Sequence, residues 1–246
     1  MEIIEVNSSL PYILNGKPIG MGTTAICFKE PNGMVFKKFV NTSNTKELFR
    51  KGDMIEKLSR MEELTNDTYV GPEKLVLVKG KLSGYMYPYV PSKTLKHISK
   101  DTKLFDLFKG YEKLMEDTKT LSGKGFRLVD TFTGDIFFDE SFKIIDIDRG
   151  YYNDVDTSLY RKNIDYIFKT LLKYIFDAYQ NELVQPLVEE AEFYHIWNRT
   201  NPDDINQVYR LLENIAKKCK DSNPSIRSIR RNIDVDRNFD EYHNKR

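Results

Sequence analysis

Leu128-Val129-Asp130-Thr131-Phe132-Thr133-Gly134-Asp135-Ile136-Phe137-Phe138-Asp139-Glu140-Ser141-Phe142-Lys143-Ile144-Ile145-Asp146-Ile147-Asp148 is the stretch whose reading decides the fold. Asp130, Asp135 and Asp146 stand five and then eleven positions apart. Ile136 to Phe138 and Phe142 to Ile145 predict two short apolar strands, and Asp139-Glu140-Ser141 is polar enough to turn between them. Asp135 then opens a hairpin that Asp146 closes, which brings two carboxylates into one neighbourhood. Magnesium is a hard cation that takes oxygen ligands, so such a pair suits it. A third carboxylate, Asp130, can orient an attacking hydroxyl.

Outward from this hairpin the chain changes character once. Up to about residue 90 it predicts strands at Pro11 to Leu14, Ala25 to Lys29, Met34 to Val40, Lys74 to Val78 and Gly84 to Tyr89. Asn32-Gly33 is a strong hairpin turn signal. One helix is expected over Thr45 to Leu64, with Leu48, Met54, Leu58 and Met61 on one face and Gly52 weakening its middle. After Val90-Pro91-Ser92 the pattern is helical: Leu104 to Leu121, Asn163 to Tyr179, Leu183 to Trp197 and Asp204 to Lys218. The second of these is apolar nearly all round, as a buried helix is. Asn201-Pro202-Asp203 breaks the chain before the last, with Asp203 or Asp204 as its cap.

In the first part, Gly20-Met21-Gly22-Thr23-Thr24-Ala25 lies between two expected extended segments. Glycines there let backbone N–H groups approach phosphate oxygens closely. A Gly-x-Gly by itself is more often an ordinary turn. Lys37 sits in the next strand on the face of Val35 and Phe39, whereas Lys38 shares the other face with Phe36. A cation there can grip phosphate when a helix carboxylate holds it. Glu56 is the best candidate for that partner and Glu47 the rival.

In this order the parts resemble the protein-kinase-like superfamily, over nearly the whole chain. Gly20-x-Gly22-x-x-Ala25-x-Cys27 resembles its Gly-rich loop, with Ala25 in place of the third glycine. Met34-Val35-Phe36-Lys37 resembles the V-A-I-K strand. Tyr85-Met86-Tyr87-Pro88-Tyr89-Val90-Pro91 is similar to the last small-lobe strand and hinge. By that similarity the Pro88 carbonyl and Val90 N–H meet an adenine edge, with Tyr87 behind them. Asp130 and Asp135 keep the spacing of H-R-D-x-x-x-x-N, and Asp146 occupies the D-F-G aspartate's place. Asp165 resembles the aspartate that opens the central helix and braces the catalytic loop. Cys219 to Arg227 resembles the D-P-x-x-R run near the end of kinase domains. The resemblance implies an α+β, bilobal fold: a small β-rich lobe with one helix over residues 1–90, and a larger helical lobe over 91–246 carrying the catalytic hairpin. It implies an ATP-dependent kinase that transfers the γ-phosphate to a hydroxyl. Lys37 and Glu56 would serve the phosphates, and Gly20, Gly22, Ala25, Val35, Tyr87, Pro88 and Val90 would line the ATP site. Asp135 and Asp146 would hold Mg, and Asp130 would act on the acceptor.

The departures bear on the acceptor. Leu128 and Val129 replace the usual His and Arg, which removes the partner of an activation-loop phosphate. Asp135 replaces Asn, and Phe132 stands where Ser/Thr protein kinases carry a lysine. Asp148 replaces the glycine of D-F-G, an acidic choice that resembles the choline and aminoglycoside kinases. Only nineteen positions separate Asp146 from Asp165, about half the usual length, and no A-P-E occurs between them. Arg227 is left to pair with some other acid. The resemblance therefore implies a protein-kinase-like enzyme with an unusual acceptor mode. The alternatives are a small-molecule kinase and a pseudokinase that binds nucleotide or scaffolds without turnover.

Composition agrees with an ordinary soluble chain. Of 246 residues, 40% are hydrophobic and 30% charged, and the net charge of +1 gives no global attraction to nucleic acid or membrane. No apolar run approaches a membrane span. Met1-Glu2-Ile3-Ile4-Glu5 lacks the layout of a secretory leader, and two distant cysteines, Cys27 and Cys219, make no disulfide framework. A cytoplasmic location is expected. His97, His195 and His243 have no zinc-type spacing. Tyr151 and Tyr152 could line a cleft or pack. The basic run Arg227, Arg230, Arg231 reads as a solvated helix face. Asp234 to Arg246 reads as a mobile tail.

Overall fold

The Asn32-Gly33 turn closes a β-hairpin as its sequence predicts. Gly33 takes the left-handed backbone (φ 82°), and the Asn32 side chain accepts from the Met34 N–H at 3.0 Å. The computed structural model describes residues 1–40, 54–154, 156–176 and 200–232. The protein is α+β. Its contacts divide it into two units, Met1–Pro91 with Lys143–Gly150, and Ser92–Phe142 with Tyr151–Arg246.

The first unit is built on six strands: β1 (Glu2–Val6), β2 (Lys17–Met21), β3 (Ala25–Lys29), β4 (Met34–Phe39), β5 (Lys74–Val78) and β6 (Lys81–Pro88). They lie in the order β1-β5-β6-β4-β3-β2, with β1 parallel to β5 and the other pairs antiparallel. One face gathers Phe28, Phe36, Val76 and Met86. Tyr12 and Ile13 cover that face from helix α1 (Leu10–Asn15), with the Tyr12 and Phe36 rings 5.2 Å apart. Pro11 to Leu14 is thus helix rather than the expected strand. Pro11 falls in the first turn, where no N–H is needed, and Ser8 Oγ accepts from the Leu10 N–H at 3.1 Å. Burial of the whole Phe36 ring beneath it contributes about 1.5–3 kcal/mol. Strands β1 and β2 were not anticipated: Glu2 to Val6 and Lys17 to Met21 carry too little apolar alternation to stand out.

Helix α2 (Met54–Met61) buries Met54, Leu58 and Met61. These are the core residues that the expected helix over Thr45 to Leu64 offers from this stretch. Residues 45–53, with Glu47, lie outside the described residues. So do the expected helix Leu183 to Trp197, with His195, and the tail Asp234 to Arg246.

Lys37 owes its placement partly to Gly84 on β6. The strand slips by one residue there, pairing Val76 with Gly84 but Leu77 with Leu82. A Cβ on Gly84 would come within 2.1 Å of the Lys37 carbonyl oxygen. Gly84→Ala should therefore push β6 off β4 and destabilise the protein by about 1–3 kcal/mol in urea unfolding. An unchanged midpoint would mean that β6 relaxes freely.

The second unit contains β7 (Lys93–Thr94), α3 (Leu104–Phe108), α4 (Tyr111–Gly123), β8 (Phe126–Arg127), β9 (Ile136–Asp139), β10 (Ser141–Ile144, which ends in the first unit), β11 (Tyr151–Tyr152), α5 (Thr157–Phe176), α6 (Ile205–Cys219) and α7 (Ile226–Asn232). The expected helix Leu104 to Leu121 breaks into two at Lys109-Gly110. Helix α5 starts earlier than predicted and buries Leu159, Ile164, Ile167, Phe168, Leu171, Leu172 and Ile175. Its Phe168 meets Tyr111 of α4 edge-on at 5.9 Å. Asp204 caps α6 by accepting from the N–H groups of Asn206 and Gln207. Arg227 finds its acid in Asp101, at 2.9 and 3.3 Å, and Arg230 donates to the Tyr174 and Ile175 carbonyls. No described helix is long and apolar enough to cross a membrane.

Candidate functional site

The face of the large sheet opposite Phe36 carries the chemistry. In the β4–β6 register Lys37 lies against Tyr85 and Val35 against Tyr87, and in β3–β4 Cys27 lies against Lys37. Lys37 is only 5% exposed. Its ammonium donates to Asp146 and to Asp148, the latter at 2.9 Å. These two carboxylates, and not Glu56, are its ion-pair partners. The expected pairing with Glu56 is corrected here: Glu56 occupies an exposed position on α2, while Asp148 is buried to 2% directly on Lys37.

Both aspartates belong to the segment 143–150, which is stitched into this unit by its backbone. Ile144 N–H donates to Thr68 O at 2.7 Å, and Val70 N–H donates to Ile144 O at 2.9 Å. Asp146 then takes the left-handed conformation (φ 61°, ψ 35°) and leads into a 3₁₀ turn at Ile147–Arg149. That reversal lets Asp146 and Asp148 both face Lys37. Tyr85 OH donates to the same Asp148 oxygen at 3.2 Å, and Lys57 of α2 donates to the Asp148 carbonyl. Among the described residues, the second carboxylate oxygen of Asp148, Oδ1, is buried without a geometric hydrogen bond.

Three charges in so small a space shift one another. Burial alone would push the Lys37 ammonium down, but the charges of Asp148 and Asp146 outweigh it and hold it above its ordinary value. Burial also works to raise Asp148, yet the Lys37 charge and hydrogen bonds win and keep it below the usual carboxylate range. Asp146 goes the other way. Loss of water around it and the charge of Asp148 push it up against Lys37, although its side chain remains 38% exposed.

The Gly20–Gly22 segment forms the β2–β3 hairpin end, closed by Gly22 N–H to Ala25 O at 2.9 Å. Neither glycine has positive φ. A Cβ on Gly20 would meet nothing within 4 Å, and one on Gly22 would come no nearer than 3.9 Å to the Ala25 oxygen. Nothing in the fold of the hairpin demands glycine there, and the space beside both positions is open. Ala25 and Val35 are buried in the adjoining strands. Tyr87 is buried, with its OH toward Cys27 Sγ at 3.8 Å, and burial raises its hydroxyl well above the ordinary range. Pro88 ends β6. Tyr89 N–H donates to Gly33 O at 2.9 Å, while Val90 N–H finds no acceptor among the described residues.

Asp130 and Asp135 belong to the second unit, on the loop between β8 and β9. Asp135 Oδ2 accepts from Phe132 N–H at 2.8 Å and its own N–H donates to Phe132 O at 2.9 Å, which closes a turn that leaves the Phe132 ring 54% exposed. Asp130 is left-handed (φ 59°). Among the described residues, the non-glycine residues with positive φ are Lys79, Asp130, Glu140, Asp146 and Lys220. Lys79 and Glu140 sit between paired strands and Lys220 caps α6. Asp146 stands at the N-cap of the 3₁₀ turn, and Asp130 lies on the loop between β8 and β9.

The sequence assigns the brace of this loop to Asp165, but Asn163 holds that place. Its side-chain oxygen accepts from Leu128 N–H at 2.9 Å and Arg127 Nη1 at 3.1 Å, and its Nδ2 donates to Phe126 O at 2.8 Å and Ser122 Oγ at 2.9 Å. Asp165 instead reaches Arg161, at 4.0 Å, near the surface. Tyr166, one helical turn on from Asn163, accepts from Thr131 N–H at 2.9 Å. The available signal was an asparagine set among the apolar positions of a buried helix, which has to be hydrogen-bonded.

Among the described residues no three His, Cys, Asp or Glu side chains gather into a metal cage. Magnesium is usually bound by one or two carboxylates plus substrate phosphates. The part-exposed Asp146 carboxylate is a donor of that kind. His97 bonds to Thr94 Oγ1 at 2.9 Å, and Tyr152 packs edge-on against Phe126 at 5.1 Å. No protein-family model matches the chain, and no curated protein sequence matches it.

Proposed function

We propose that this chain is an ATP-dependent phosphotransferase with a bilobal, protein-kinase-like fold. The observation that carries the proposal is the ion pair of buried Lys37 with part-exposed Asp146, residues 109 positions apart that the sequence reading nominates for phosphate and for metal. The open glycine hairpin and the Val90 N–H just after β6, which finds no acceptor among the described residues, support a nucleotide on the same sheet. Lys37 neutralises phosphate charge, and Tyr87, Pro88 and Val90 present an edge for adenine. Bound magnesium would neutralise the charge that builds on the transferred phosphoryl group, with Asp146 as a protein donor. Asp130, held on a braced loop, orients an acceptor hydroxyl and takes its proton.

The chain between β11, ending at Tyr152, and α5, starting at Thr157, has no length for a peptide platform. This favours an acceptor that needs none, and a small-molecule alcohol is the second reading. ATP with magnesium should raise the melting temperature, and Asp146→Asn should remove the magnesium-dependent part. Labelled ATP offered with protein and small-molecule acceptors should give transfer that Asp130→Ala abolishes. Equal turnover in Asp130→Ala would remove that residue from the mechanism. A wild-type chain that neither responds to ATP nor turns it over would overturn the proposal.

A further inference from the structure

We propose that Asp148 is the residue that positions Lys37 for nucleotide phosphate, in place of a carboxylate on helix α2. The inference rests on the phosphotransferase reading and deepens it. Two carboxylates share one ammonium here, and their surroundings give them different duties. Asp146 is 38% exposed and left-handed at the start of the 3₁₀ turn, so it can turn from Lys37 to an incoming cation. Asp148 cannot. It is buried on Lys37, its Oδ2 takes the Tyr85 hydroxyl as well, and its backbone carbonyl is tied by Lys57.

Tyr85 and Lys37 are register partners on neighbouring strands and converge on one carboxylate oxygen. The pair is thus fixed by the sheet itself and by a segment that the Thr68 and Val70 backbone holds in place. When Asp146 engages metal, Asp148 remains to keep the ammonium in position. A desolvated, hydrogen-bonded ion pair is strong enough to do so, because removal of either partner leaves a buried charge uncompensated. The ion-pair partners of Lys37 are Asp146 and Asp148, not Glu56.

The test compares Asp148→Asn, Glu56→Gln, Lys37→Met and the Lys37→Met/Asp148→Asn pair, each checked for folding by urea unfolding. The readout is steady-state ATP turnover with magnesium. Asp148→Asn keeps the side-chain shape and should raise KM for ATP and lower kcat, together by about tenfold or more in kcat/KM. Glu56→Gln should stay within about twofold of wild type. In the Lys37→Met background, Asp148→Asn should lower turnover no further, since a residue that acts through Lys37 has nothing left to act on. A purely structural residue would give a loss that adds in both backgrounds. A loss in Glu56→Gln equal to that in Asp148→Asn, or additive losses in the pair, would overturn the proposal while leaving the phosphotransferase reading intact. A wild-type chain without ATP turnover or binding would remove both.

Discussion

Lys37→Met should cost about 3–5 kcal/mol of folding stability, whatever the chain's activity, because it strands Asp148 as a buried anion. Lys37 and Asp148 are 5% and 2% exposed, so solvent screens neither. With the ammonium gone, Asp148 keeps the Tyr85 hydroxyl at 3.2 Å and the pull of Lys57 on its carbonyl, but no charge at its oxygens. The protein then either protonates Asp148 or opens the 146–149 turn. Adding Asp148→Asn removes that charge and should recover most of the loss. Urea unfolding of wild type, Lys37→Met, Asp148→Asn and the double variant closes the cycle. A double variant no more stable than Lys37→Met alone would show that the pair is not coupled in the fold.

Asn163→Ala is expected to cost about 3 kcal/mol, since it leaves several buried polar groups unsatisfied at once. The side chain is 0% exposed and serves the Leu128 N–H, the Arg127 guanidinium, the Phe126 carbonyl and the Ser122 hydroxyl. All but Ser122 lie on the approach to Asp130. The loss should therefore appear locally before it appears globally, as faster hydrogen exchange at Leu128 and Thr131. Asp165→Ala should cost under about 1 kcal/mol, because its one ion pair is long and near the surface. Equal losses in the two variants would return the brace to Asp165.

The difference between Asn163 and Asp165 shows where sequence reading is strong. Local pattern identified the buried helix, the Asn32-Gly33 turn and a cap at Asp203 or Asp204, because each depends on residues within a few positions of one another. Glu56 and Pro11 to Leu14 show the limit. Glu56 was a reasonable partner for Lys37 by order along the chain, yet a strand lysine takes whichever carboxylate the fold brings to its face. Pro11 to Leu14 is apolar and short, which suits strand or helix equally. The core beneath Phe36 decides for helix, since only that form sets Tyr12 and Ile13 against it.

By itself the sequence determined the α+β class, the Asn32-Gly33 hairpin and the hairpin after Asp135, the helix over Asp204 to Lys218 near its ends, and the nomination of Lys37, Asp130, Asp135 and Asp146. Local backbone preference and the spacing of apolar residues carry that information. Only the tertiary structure decided that Asp148 joins Asp146 on Lys37, that Asn163 braces the Asp130 loop, and that the 143–150 segment belongs with the large sheet. These depend on pairings across 35 to 111 positions of chain. Burial sets the energy of such pairings, and burial is a property of the folded whole.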